Sequence, residues 1–298
     1  MSALLQMKGG KSSDEDGVVV EHLHHAPVNF LSRVALLFNR MLKHSFVPQQ
    51  FQRGYMIPLI KDQQGNHSDT NNYRGITISP IISKVFEHVL KNKFSQHLTT
   101  SAYQFGFKRN SSTVHALHCF RETVDYYVSN DSRVFSTFLD ASKAFDRLIH
   151  AGLFVKLISR NIPAIFLNII ISWYSNLWCR VKWADQYSDW FAVRAGVRQG
   201  GILSPDFYSI YVDDLILKLM ACKKGCYFLT TFAAALFYAD DMVILAPSLH
   251  GLECLLRICE DYCLEWDIAL NAKKSKNMVF GKKITVPHDV VLNGKVIE

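Results

Sequence analysis

The chain has 298 residues, 49% of them apolar, enough for a substantial core in one large domain or two smaller ones. Its formal charge of +7 suits a polyanionic partner such as nucleic acid or a nucleotide, with a merely basic soluble protein as the plain alternative. The seven cysteines form no secretory framework, the opening MSALLQMKGGKSS has no apolar core of signal-peptide length, and no apolar run reaches the roughly 18 residues of a membrane span, so the chain reads as intracellular, reduced and off the membrane.

The first 20 residues are polar and charged, with a turn expected at Asp16-Gly17. The His cluster at 22–25 reads as a surface or helix-flank feature. Helical spacing then places Phe30, Leu31, Val34, Leu37, Phe38 and Met41 on one face, and VPQQF ends that helix. Two β-rich runs, Tyr55–Ile60 and Tyr73–Ile78, flank a polar loop, which predicts a hairpin. Lys61 ends its first strand and Arg74 begins its second, so both cations are expected near one tip. Ser79-Pro80 predicts a cap for the next helix, which carries Ile82, Val85, Phe86, Val89, Leu90 and Phe94.

YQFGFKRNSST is a loop, and Ser112 caps the helix after it. Val134 to Leu139 read as a strand with Asp140 at its carboxyl end, and the chain turns helical from about Lys143. Two helical patterns fill 151–177, a hairpin covers 178–196, and VRQGGILSP is a loop before another Ser-Pro helix start. Cys222 with Cys226, and Cys259 with Cys263, have C-x3-C spacing near Cys254. The second pair lies on a helical stripe, where thiols at i and i+4 are core filler rather than zinc ligands.

Tyr-x-Asp-Asp occurs twice. Asp213-Asp214 falls mid-helix, with the side chains about 100° apart around the axis, and reads as the helix's polar flank. Asp240-Asp241 lies between two apolar β-rich runs and reads as the tip of a strand-turn-strand. Carboxylates there have no packing purpose, and a divalent cation relieves their repulsion. Asp140, at another strand end, supplies a third. If the strands are neighbours, Asp140, Asp240 and Asp241 can hold two Mg²⁺ ions roughly 3.5–4 Å apart, with Mn²⁺ as a substitute, for in-line nucleotidyl transfer. Lys61 and Arg74 fit as clamps on a triphosphate, and the glycines of RQGG let a nucleotide or template approach the backbone.

At this point the sequence resembles the reverse transcriptase domain of non-long-terminal-repeat retrotransposons. IPLIKD, NYRGITISPIISKVFE, QFGFKRNSST, FLDASKAFD, AGVRQGGILSPDFYSIYVDDL, FYADDMVILA and LNAKKSKNMVF match its motifs in order, over about residues 8–298. The resemblance implies an RNA-directed DNA polymerase acting on an RNA template, a DNA primer and deoxynucleoside triphosphates. It implies that Asp140, Asp240 and Asp241 are the catalytic metal ligands, with the Ala141 carbonyl facing a metal. Phe145 would be the steric gate against a ribose 2′-hydroxyl; on its residues alone it reads as a core aromatic. Gln199 and Gly200 would line the nucleotide and template, with Lys61 and Arg74 on the triphosphate. Lys274 would approach the same phosphates, a solvated basic turn being the alternative. Asp146 would order the local helix, and Phe105, Gly106 and Arg109 would touch template.

The fold so implied is α+β, a right-hand polymerase of fingers and palm, with an antiparallel palm sheet packed on helices. The fingers are expected over 1–130 with a helical and hairpin insertion at 151–190. The palm is expected over 131–150 and 191–280, with 281–298 starting a hairpin that leads to a thumb beyond this chain. With no thumb and no endonuclease segment expected in these residues, the alternative to an active polymerase domain is a catalytically silent fragment that only binds nucleic acid.

Overall fold

A computed structural model describes residues 2–282 and 289–298 of the protein. Its chain divides into two compact units, residues 1–99 with 149–207, and residues 100–148 with 208–298. In chain order the elements used below are α1 (Val28–His44), β1 (Arg53–Ile60), β2 (Tyr73–Ile78), α2 (Ile81–Lys93), α3 (Thr113–Ser129), β3 (Val134–Ser142), α4 (His150–Ser159), α5 (Ala164–Tyr174), β4 (Trp178–Trp183), β5 (Gln186–Tyr187), β6 (Phe191–Ala192), α6 (Ser204–Cys222), β7 (Ala235–Tyr238), β8 (Asp241–Ala246), α7 (Leu249–Glu265), β9 (Ala269–Leu270) and β10 (Lys276–Phe280).

In the first unit the expected hairpin forms, with β1 antiparallel to β2 from Tyr55 opposite Ile78 to Ile60 opposite Tyr73. β4 adds to β1 in parallel and carries β5 and β6 on its far side, so the 178–196 segment makes three short strands rather than one simple hairpin. The core is aromatic. Phe38 of α1 meets Phe86 of α2 at 5.0 Å between ring centroids, and Phe86 stacks on Trp173 of α5 at 5.8 Å. Burying each such ring contributes about 1.5–3 kcal/mol. α1 stops at His44, where Ser45 turns left-handed, and VPQQF makes a short helix of its own over Gln49–Gln52. The expected turn at Asp16-Gly17 is present, with Gly17 at φ +73°. Ser79 does not cap α2. Pro80 takes the cap position without a side-chain bond, and the Ile81 N–H donates to Asp14 Oδ2 at 2.8 Å instead.

In the second unit an antiparallel sheet runs in the order β9-β3-β8-β7, with β10 also on β3. Leu252, Leu255, Leu256 and Cys259 of α7 are buried, and α7 packs on β3 and β8. Cys226, Cys259 and Cys263 are buried, Cys222 and Cys254 are half-buried, and all seven cysteines are free. α3 lies against β3 and β7, with Phe120 on Phe138 at 5.5 Å. Of the expected 281–298 hairpin, 283–288 lie outside the described residues, and Val291–Leu292 pairs with Lys295–Val296 around Asn293-Gly294. The two units cut the chain elsewhere than at the expected fingers and palm boundaries. Residues 100–130 go with β3, because 103–105 bond to β7. Residues 191–207 go with the first unit, because β6 pairs with β4. Among the described residues no helix is long and apolar enough to cross a membrane.

Candidate active site

The register of β3 against β8 decides where the carboxylates fall. Asp241 is the direct cross-strand partner of Asp140, and Asp241 also pairs with Tyr238 across the hairpin. Directly opposed residues share a face with Cβ atoms about 4.5–5.5 Å apart. Asp240 occupies the tight turn between β7 and β8, following Ala239, which is left-handed at φ +59°. The three aspartates expected to converge are therefore gathered at one end of one sheet.

Their electrostatics are unfavourable as they stand. Burial raises the Asp241 pKa, and the charges of Asp240 and then Asp140 raise it further. Asp140 Oδ2 is buried with no hydrogen-bond partner among the described residues. Leaving a buried carboxylate oxygen unsatisfied costs about 1–3 kcal/mol or more. Among the described residues no three His, Cys, Asp or Glu side chains close around one point, so the aspartates do not form an all-protein cage. A hard cation that keeps several waters and takes one or two carboxylates plus substrate phosphates fits such an open set. The orphaned oxygen and the mutual repulsion are what a divalent cation would relieve.

The backbone around Asp140 is tied at both its polar groups. Its N–H donates to Ser275 Oγ at 3.3 Å, and its carbonyl accepts the Asn271 N–H at 2.9 Å. That Asn271–Ser275 turn carries Lys274, which lines a cavity of about 310 Å³ together with Asp140, Asp241, Phe138, Tyr238 and Phe120. Ala141 is buried and pairs with Leu270.

The hairpin turn is held from the side by a residue that the sequence did not reveal. Gln104, fully buried, accepts the N–H groups of Gly106 and Ala239 on one oxygen, at 2.9 and 3.0 Å. The neighbouring backbone joins β7, with the Phe105 N–H on the Phe237 carbonyl at 2.7 Å. Gly106 has to be glycine, because a Cβ there would lie 2.3 Å from the Ala239 nitrogen. Arg109 is exposed, and Phe105 is half-buried. Asn271, Ser275 and Gln104 all belong to turn-type runs, and only their tertiary partners mark them as supports of the site.

Phe145 is half-buried. Its ring stacks on Tyr208 at 5.0 Å and 19°, and meets Phe107 edge-on at 5.8 Å. Tyr208 itself is buried, and burial followed by the Asp240 charge pushes its pKa up. Asp146 is exposed on the short Ala144–Arg147 helix.

Lys61, Arg74, Gln199 and Gly200 belong to the first unit. Lys61 and Arg74 are exposed at the tip of the β1–β2 hairpin, and the Lys61 ammonium donates to the Asn71 carbonyl at 2.9 Å. The Gln199 carbonyl accepts the Thr77 N–H of β2 at 2.9 Å. Gly200 adopts φ +116°, where a Cβ would be strained and would meet the Thr77 carbonyl at 3.0 Å.

Asp213 and Asp214 lie within α6, as expected, but Asp213 is no solvated flank. It is 7% exposed and accepts the Ser101 N–H at 2.8 Å.

A family model described as reverse transcriptase (RNA-dependent DNA polymerase) matches residues 60–289, which contain the carboxylates, both hairpin cations and the Gln199-Gly200 loop. The chain belongs to this reverse transcriptase family. Among curated proteins it is similar to the probable RNA-directed DNA polymerase from transposon BS of Drosophila melanogaster, at 28% identity over 288 residues. It is 26% identical over 304 residues to the RNA-directed DNA polymerase from mobile element jockey of Drosophila funebris. These alignments cover 93% and 98% of this chain but 31% and 32% of the relatives, so the chain spans about a third of their length. Among solved structures, apo telomerase from Candida tropicalis, truncated from its C-terminal domain, superposes with a TM-score of 0.57. That match has 15% identity over 87% of this chain and 57% of that one, and shows the fold alone. The α+β, right-hand polymerase class expected from the motifs is thereby borne out.

Proposed function

We propose that this chain is a polymerase domain that copies an RNA template onto a DNA primer by adding deoxynucleotides, with Asp140, Asp240 and Asp241 holding two Mg²⁺ ions. The observation that carries this is the pairing of Asp140 with Asp241 beside the Asp240 turn, with a buried Asp140 oxygen that no group among the described residues satisfies. The second unit supplies the palm and the first the fingers. When bound, the ions supply activation of the primer 3′-hydroxyl and charge neutralisation at the leaving pyrophosphate.

The chain's own groups do the rest. Lys61 and Arg74 pair with the triphosphate oxygens. Gln199 and Gly200 line the nucleotide, the glycine giving it close access to the backbone. Phe145 occupies the space a 2′-hydroxyl would need. Phe105 and Arg109 contact template by stacking and charge, in a sequence-tolerant and salt-sensitive way. Gly106 shapes that loop against the Asp240 turn, and Lys274 faces the phosphates from the cavity beside Asp140.

The test is single-nucleotide primer extension on an RNA template with Mg²⁺ or Mn²⁺, wild type beside Asp240→Ala. The reading predicts addition by wild type that the substitution abolishes while the fold persists. Folded wild-type protein that binds nucleic acid but adds nothing would refute it.

A further inference from the structure

Glu87 is a buried carboxylate that the metal chemistry does not use. It lies in α2, 5% exposed. Its Oε2 accepts the N–H groups of Ile202 and, at 3.0 Å, Leu203. Those amides precede α6, where a helix has donors without partners in its own ladder. Burial raises the Glu87 pKa, opposed by the Leu203 amide, the Arg198 charge, the Ile202 amide and the Lys84 charge.

Arg198 is the other half of the arrangement. Both of its terminal nitrogens donate to the Phe51 carbonyl at 3.2 Å, and its guanidinium lies 6.0 Å from the Trp173 ring centre. Burial lowers its pKa, and the Glu87 charge is the largest opposing influence. Glu87, Tyr174, Arg198 and Ser204 border a void of only about 10 Å³, so bulk water does not separate the charges. One turn along α2, the Lys91 ammonium lies 2.6 Å from Asp206 of α6. α2 therefore grips the start of α6 at two points, of which only Glu87 touches the loop before it.

Only Gln199, Gly200 and Gly201 separate Arg198 from Ile202. Two adjacent glycines make a segment that wanders unless its ends are fixed. Here one end is tied to the Phe51 carbonyl through Arg198, the other to Glu87, and the middle to β2 through the Gln199 carbonyl. Opposite charges held in the interior are a weak source of stability compared with apolar packing, so what the two residues supply here is their hydrogen bonds at the two ends of the loop.

We infer that Glu87 and Arg198 are a positioning pair, whose hydrogen bonds to the Ile202 and Leu203 amides and to the Phe51 carbonyl hold the Gln199–Gly201 loop in the one conformation that presents Gln199 to the incoming nucleotide. The inference rests on the nucleotide role proposed for Gln199 and Gly200.

The experiment compares Glu87→Gln, which keeps the shape and loses the charge, with Lys91→Met, which loosens the start of α6 without touching the loop. Amide hydrogen exchange and single-nucleotide addition are measured on each. In Glu87→Gln, exchange across 198–203 quickens by about tenfold or more while the rest of α2 and α6 holds. The nucleotide KM rises by about tenfold and kcat changes less than about threefold. Lys91→Met does neither. If Glu87→Gln fails to fold, Glu87→Asp, one methylene shorter, serves in its place with the same expectations. Unchanged exchange at Ile202 and Leu203, or a fall in kcat at constant KM, overturns the pair's role. A wild-type chain that adds no nucleotide refutes the polymerase reading instead, and the exchange data still decide whether the pair fixes the loop.

Discussion

Gln104 holds Ala239 by both backbone groups, accepting its N–H at 3.0 Å and donating to its carbonyl at 3.4 Å. Ala239 is the left-handed residue immediately before Asp240, a conformation that costs a non-glycine residue about 1–2 kcal/mol. The buried amide is what keeps the turn in that conformation. Gln104→Leu, close in volume, strands the N–H groups of Gly106 and Ala239 in the interior. The expected loss is about 2–6 kcal/mol in urea unfolding, at about 1–3 kcal/mol for each of the two unsatisfied groups. Gln104→Glu keeps the acceptor and costs less. Equal stability of the Leu variant and wild type would remove Gln104 as the support of the turn.

The three aspartates predict a specific pH dependence. Asp241 has a raised pKa, through burial first and then Asp240 and Asp140. A carboxylate whose folded pKa exceeds its unfolded one binds more protons when folded, so stability falls as pH rises through the interval between them. Above that interval the whole penalty is present; below the ordinary carboxylate range none is. Asp241→Asn should therefore raise the Tm of metal-free protein at neutral pH and leave it unchanged in strong acid. Mg²⁺ or Mn²⁺ should raise the wild-type Tm and raise the Asn variant's less. A thermal-shift series with and without the cation reads both effects, and a variant that responds to metal as wild type does would exclude Asp241 from the ligand set.

Phe145 is clamped between the face of Tyr208 and the edge of Phe107, which gives a ring-sized wall little freedom to yield. Phe145→Val should raise the ratio of ribonucleotide to deoxynucleotide kcat/KM by about 10–100-fold, the scale of discrimination that a steric contact supplies. Tyr208→Phe keeps the stack and should leave the ratio unchanged. A gate ratio that moves equally in both variants would assign the discrimination to some other group.

Much of this site was legible because its signals are local. Apolar β-rich runs around Ala239-Asp240-Asp241 specify strand, turn and strand within ten residues, and the structure has β7, turn and β8 there. The Tyr55–Ile60 and Tyr73–Ile78 runs gave the other hairpin for the same reason. What local signals cannot carry is the partner across space. The pairing of Asp140 with Asp241 depends on which strand lies beside which, and a one-residue slip would turn one of them to the other face. Ser79-Pro80 looked like a cap, yet Asp14, a carboxylate 67 residues before Ile81, takes the role. Gln104 reads as one polar residue in an aromatic loop until β7 is placed beside it.

The two Asp-Asp pairs differ in what surrounds them. Asp213 takes the Ser101 N–H, and its charge supports the Lys108 ammonium against the burial that lowers its pKa. Lys108 in turn donates to the carbonyls of Thr100 and Ser101, so Asp213 anchors the base of the loop that carries Phe105 and Gly106. Asp240, by contrast, adds repulsion to Asp241. Removing the two side chains should have opposite consequences. Asp213→Ala should lower stability by about 1.5–3 kcal/mol, the scale of a hydrogen bond to a charged group, with nucleotide addition per folded molecule within a few fold of wild type. Asp240→Ala should leave the Tm unchanged or raised, because a like charge is gone, while addition falls by about 10²–10³-fold or more, the scale of losing transition-state charge stabilisation. Urea unfolding and single-turnover addition on both variants measure the four quantities. If Asp213→Ala abolished addition in a folded protein, the helical pair would belong to the chemistry and the hairpin pair would have to be reconsidered.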